Sequence, residues 1–143
     1  MKIRDGDLLN VLGQEWRIDA REIGGAPEFL DRRVRDIAKR RMLAAAKSII
    51  REMPADMRPA RITLRDTRSR WGSCSATRAM SLSYRLAFAP VEIMRYVVIH
   101  ECCHLREMNH GPAFWRLVET HSGPGFKTAK KWLNKNSRGL FAI

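Results

Sequence analysis

Residues 97–110 read VVIHECCHLREMNH. His100, Glu101 and His104 spell H-E-x-x-H, and on an α-helix residues four apart lie roughly 40° from each other around the axis, facing the same way. Two imidazoles so placed can share one zinc ion. Glu101 then stands beside the metal, where it can take a proton from a water that the metal activates. Three fixed positions in five also arise by chance, and the bland alternative is an amphipathic helix with two surface histidines. The flank argues against it: Tyr96, Val97, Val98 and Ile99 form an apolar run into His100, so the helix arrives from a core, where unligated imidazoles are costly.

A tetrahedral catalytic zinc takes three protein ligands and leaves its fourth position to water. Glu107 shares the face of His100 and His104, but it lies roughly 10 Å along the axis from His100, too far for one ion. The third ligand must come from beyond the helix. Met108-Asn109-His110-Gly111-Pro112 can turn the chain back, because Asn and Gly tolerate left-handed geometry and Pro112 stops one helix while suiting the first turn of the next. His110 is therefore the preferred third ligand. Glu119 and His121 on the following helix compete with it, and Cys74 is a further candidate by chemistry alone.

The segments Arg70-Trp71-Gly72-Ser73-Cys74, Leu82-Ser83-Tyr84-Arg85-Leu86, Ala89-Pro90, Tyr96-Val97-Val98-Ile99-His100-Glu101, His104-Leu105, Asn109-His110 and Phe114-Trp115 occur in this order. Together they resemble the YgjP-like metal-dependent hydrolases, zinc metallopeptidases related to the SprT-like and WLM groups, over roughly residues 30–133. The resemblance implies a small zincin-like fold and one zinc ion on His100, His104 and His110, with Glu101 as catalytic base. Cys102 and Cys103 stand where such proteins usually carry a Leu-Ala type of filler, a departure that leaves the ligands untouched.

A chain of 143 residues suits one domain, with enough length for a modest core. The pattern of elements gives an α+β class. Residues 1–25 form an N-terminal hairpin, 28–53 a long basic amphipathic helix, 60–86 an antiparallel sheet, and 90–135 the metal helix with short C-terminal helices. The sheet, of about three to five strands, packs on the long helix and the metal helix. Within this plan Leu8–Ile23 alternates loosely about Gly13-Gln14, as a hairpin should. Leu30, Val34, Ile37, Ala38, Met42, Ala45, Ile49 and Ile50 fall at helical spacing and end before Pro54. Ile62 and Leu64 alternate inward along 61–66, and 70–74 and 79–84 read as two further strands around a polar turn. Phe114 and Trp115 read as core residues of a short helix over 113–121. A last helix over 126–134 leads to a tail ending at Ile143.

The formal charge of +12 and the pI near 10.6 are the compositional anomaly. They permit attraction to nucleic acid, anionic surfaces or acidic polypeptides. The long helix concentrates Arg32, Arg33, Arg35, Lys39, Arg40, Arg41, Lys47 and Arg51 on its outer face. The plain reading is a solvated face, and a polyanion-gripping stripe is the sharper one. Three cysteines, two of them adjacent, make no disulfide framework and suit a reducing cytoplasm. No apolar run reaches the roughly 20 residues of a membrane span or resembles a signal peptide.

These observations converge on a zinc-dependent, peptidase-like hydrolase acting on a peptide or protein. The metal acidifies a water, and Glu101 accepts its proton and later hands it to the leaving amine. An edge strand above the metal helix commonly pairs with the extended substrate in such enzymes. The strand 79–84 is the candidate, with Met80, Leu82, Tyr84 and Arg85 as substrate contacts. Tyr84, Arg85 and His121 are the candidates for stabilising the oxyanion. Two other classes compete: a metal-dependent nucleotide phosphohydrolase, with Arg70, Arg78 and Arg85 on the phosphates, and a zinc-stabilised nucleic-acid-binding module, which would not require Glu101.

Overall fold

Leu12 and Gly13, with φ of 52° and 80°, turn the chain through the twist that two-residue hairpins favour. They join β1 (Leu8–Val11) to β2 (Gln14–Arg17), antiparallel, with Leu9 opposite Trp16. The computed structural model describes residues 2–67 and 69–141. The Leu12 N–H donates to the Ala87 carbonyl at 2.8 Å, which ties the hairpin to the body. The second strand stops at Arg17 because the Asp19 carboxylate accepts from the Arg21 N–H and caps a one-turn helix, α1 (Ala20–Ile23).

The long helix, α2, spans Leu30–Arg51 and buries Leu30, Val34, Ala38, Met42, Ala46, Ile49 and Ile50, a stripe of helical period against the core. Its basic face is partly committed to the fold. Arg35 donates to Asp31 and to the Tyr84 hydroxyl, Lys39 lies 4.8 Å over the Tyr84 ring, Arg41 lies 4.6 Å over Trp16, and Arg33 donates to the Gly24 carbonyl. These contacts favour the plain reading of that face.

The sheet corrects the sequence expectation in two ways. Its strands β3 (Arg61–Arg65), β4 (Gly72–Cys74) and β5 (Ala79–Ser83) lie in the order β3-β5-β4, with β3 parallel and β4 antiparallel to β5. It is mixed rather than antiparallel, and the strand expected at the edge is central. The physical reason is burial. β5 places Met80 and Leu82 in the core on one face and buries Ser83 on the other, whereas β3 exposes every second residue, so the two-sided strand takes the middle. Met80, Leu82, Tyr84 and Arg85 are only 1, 0, 2 and 2 % exposed, and no substrate can lie along them. Tyr84 and Arg85 are equally unsuited to an oxyanion: Tyr84 accepts from Arg35, and Arg85 pairs with Asp66 at 2.7 Å.

A short 3-10 turn, Tyr84–Phe88, leads into α3 (Val91–Cys103), followed by α4 (Pro112–Ser122) and α5 (Phe126–Phe141). α5 continues past Asn134, where a tail was expected. The Asn136 and Ser137 side chains donate to the Trp132 and Leu133 carbonyls, and the Trp71 indole N–H donates to the Ser137 hydroxyl at 3.3 Å, docking this end beside β4. Val97, Val98, Ile99 and Cys102 on α3 meet Met42, Leu82, Phe114 and Leu133 in the main core. The result is an α+β, zincin-like fold. No described helix is long and apolar enough to cross a membrane.

Candidate metal centre

The regular part of α3 ends at Cys103, and His104 caps it in helical geometry, so His100 and His104 keep their four-residue spacing. The chain then turns, and Pro112 in the first turn of α4 follows Gly111 as N-cap. His110 sits on this turn. The ring nitrogens of His100, His104 and His110 lie within 4.8 Å of one another, the one such cluster of metal-ligating side chains among the described residues. Glu119, His121 and Cys74, the competing candidates, are not part of it.

The local contacts aim the rings. His104 Nδ1 lies 3.2 Å from the Glu107 carbonyl, which can only accept, so Nδ1 carries the proton and Nε2 keeps its lone pair. That Nε2 lies 2.9 Å from Nε2 of His110. Two lone pairs at this distance repel unless a proton or cation lies between them. A zinc ion about 2.0–2.1 Å from each ligand would hold tetrahedral nitrogens roughly 3.4 Å apart. The donor set therefore fits such an ion. Phe114, fully buried, stacks on His104 at 4.4 Å and meets His100 and His110 edge-on at 4.9 Å. The Trp115 indole N–H donates to the His110 carbonyl at 3.1 Å, and its ring stacks on the imidazole at 5.8 Å. Phe114 is a core residue, as expected, whereas Trp115 is only partly buried against the core, and both pack on the third imidazole.

Two residues at this centre escaped the sequence reading. Tyr96 Oη lies 3.3 Å from Nδ1 of His100, in the place where an outer partner would orient the imidazole were it to bind a metal. Its position four residues before His100 was the available signal. Lys130 on α5 is the other, and no motif pointed to it. It lines one cavity of about 280 Å³ with His100, Glu101, Arg70, Gly72 and Tyr96. Gly72 in that wall has a steric reason: a Cβ there would come within 3.1 Å of Glu101 Cγ and 3.2 Å of the Ser81 carbonyl oxygen.

Electrostatics suit metal binding. Burial, with His104, His110 and Lys130 nearby, drives the His100 imidazole down to about 3, and burial lowers His104 as well. Both stay neutral, with lone pairs available, at neutral pH. Burial pushes the Glu101 carboxyl up to about 7, and the Arg70 guanidinium draws it partly back. That is the range in which a carboxylate serves as a base near neutrality. Cys102 and Cys103 are buried and pushed up to about 12, which makes them inert packing thiols.

No curated protein and no solved structure matches the chain. The family model described as YgjP-like, metallopeptidase domain matches residues 3–136, nearly the whole length. With that match and three convergent imidazoles, the chain belongs to the YgjP-like metallopeptidase-domain family, a group of metal-dependent, peptidase-type hydrolases.

Proposed function

We propose that His100, His104 and His110 hold one zinc ion and that Glu101 is the general base of peptide-bond hydrolysis. The observation that carries this reading is a buried carboxylate lining one cavity with a half-buried imidazole, His100, that belongs to the three-histidine cluster. Zinc, when bound, acidifies a water and polarises a carbonyl. Glu101 receives the proton of that water and returns it to the leaving amine. Tyr96 orients His100, and Trp115 holds the turn that presents His110.

The strand beside this machinery is β4. It is the terminal strand of its sheet, and Gly72 within it shares the cavity with Glu101. An extended peptide adding to its outer edge through main-chain hydrogen bonds would pass the carboxylate. The phosphohydrolase alternative finds less support. Arg78 donates to the carbonyls of Asp56 and Arg58, and Arg85 is buried on Asp66, so of the three arginines only Arg70 lines the cavity. A nucleic-acid module leaves the buried Glu101 without a role. Three free thiols, two of them buried, suit a reducing compartment such as the cytoplasm.

The test is metal dependence. The purified chain should carry one equivalent of zinc and hydrolyse casein-derived peptides, with activity abolished by a chelator and restored by zinc. Turnover of nucleoside triphosphates or DNA with peptides untouched would overturn the reading. Tyr96→Phe should keep the fold but bind zinc about tenfold more weakly in competition with a chromogenic chelator, the scale on which outer partners act. An unchanged affinity would remove Tyr96 from the site.

A further inference from the structure

The groups around the catalytic carboxylate are cationic, and the hydrolytic mechanism uses them only for their influence on the charge of Glu101 and His100. Arg70, on the loop before β4, and Lys130, on α5, line the cavity that holds His100 and Glu101. An adjoining hollow of about 450 Å³ shares Lys130 and Asn134 and adds Lys127 and Lys131. Across both hollows Glu101 is the single acidic lining residue. Among the described residues neither Arg70 nor Lys130 has a carboxylate partner in an ion pair.

Lys130 is also held in place. Its ammonium lies 4.4 Å over the Trp115 ring, and Trp115 is stacked between His110 and Phe126. The exposed cation thus rests beside the three histidines on the same indole that stacks on His110. Trp71, Val97 and Leu133 supply apolar wall to the cavity. Such a pocket, apolar along its sides and cationic at its rim, fits a side chain with a short methylene stem and a negative end.

We infer that this site selects acidic peptides, taking a glutamate carboxylate next to the cleaved bond between Arg70 and Lys130. The inference rests on the peptidase reading above. The chain's excess of positive charge adds to it, because a cationic mouth raises the encounter rate of anionic substrates.

Binding and turnover test it separately. Labelled octapeptides that differ only in Glu or Gln, scanned across the positions flanking the bond, are titrated into the zinc-loaded Glu101→Gln chain and offered as substrates to the wild type. At one position the Glu peptide should bind about tenfold tighter than its Gln partner, the scale of a charge-assisted hydrogen bond. The advantage should shrink as salt rises from about 0.05 to 0.5 M. Lys130→Met should erase most of it and Lys130→Glu should reverse it, with thermal melting of both variants confirming that they fold. Equal affinity for Glu and Gln peptides at every position overturns the inference. So does a Glu preference that survives Lys130→Met combined with Arg70→Gln, or tight competition by inorganic phosphate without any peptide preference. A Glu preference in binding with no peptide cleaved by the wild type would instead sink the peptidase reading and leave the cationic subsite standing.

Discussion

Glu101→Gln is expected to lose peptide turnover by a factor of about 10²–10⁴, the usual worth of a general acid–base group, while its zinc content equals that of the wild type. The two parts must appear together. Gln has the shape of Glu but cannot accept a proton, and Glu101 lies outside the cluster formed by the three histidines, so metal should stay while proton transfer fails. A second readout needs no substrate. In the metal-free chain the Glu101 carboxyl is pushed up from 4.5 to about 7 by burial. A carboxyl raised in the folded state favours folding only while it is protonated, so its contribution is present below about pH 4.5 and fades as pH climbs through 7. Metal-free Glu101→Gln should therefore melt higher than the wild type at pH 8, with the advantage gone at pH 4. A variant that turns over peptides at the wild-type rate, or one that loses zinc, would show that the carboxylate is not the base.

The parts of this site that were legible in the sequence are those set by local geometry. Four residues along a helix decide that His100 and His104 face one way. The Gly111-Pro112 pair decides that the chain turns just beyond them, which is why His110 could be preferred to Glu119 and His121. Tyr96 is equally legible, since it too shares the face of His100 one turn earlier. The illegible parts depend on tertiary choices. β5 is central because it pairs in parallel with the distant β3 on one edge and antiparallel with β4 on the other, and strand alternation says nothing about which neighbour a strand will take. That error carried the proposed substrate contacts into the core, whereas β4, three residues long and read as an ordinary strand, holds the edge next to Glu101. Lys130 could not be located either. It reaches the cavity only because α5 docks along α3 and β4, partly through Trp71 and Ser137, and a lysine on a helix of many lysines carries no mark of its place.

Removing one ligand should uncouple stability from zinc. For the wild type, free zinc at a hundred times its dissociation constant adds about 2.7 kcal/mol of stability, roughly 5–10 °C in melting midpoint for a chain of this size. In His104→Ala that zinc-dependent shift should fall close to zero. The metal-free variant should tell a different story, because His104 is an ambiguous tenant of the apo site. Its stacking on Phe114 at 4.4 Å and its Nε2 contact with Nε2 of His110 at 2.9 Å, bridged by a proton on one of the two rings, favour the fold, whereas burial of the imidazole costs desolvation. These effects oppose each other, so the metal-free midpoint should move far less than the zinc-induced shift. The same measurement on Glu119→Ala, His121→Ala and Cys74→Ala should leave that shift intact, since none of the three belongs to the cluster. Were the shift to survive His104→Ala and vanish in one of these, zinc would be held by a different set of side chains from the one that converges around His104.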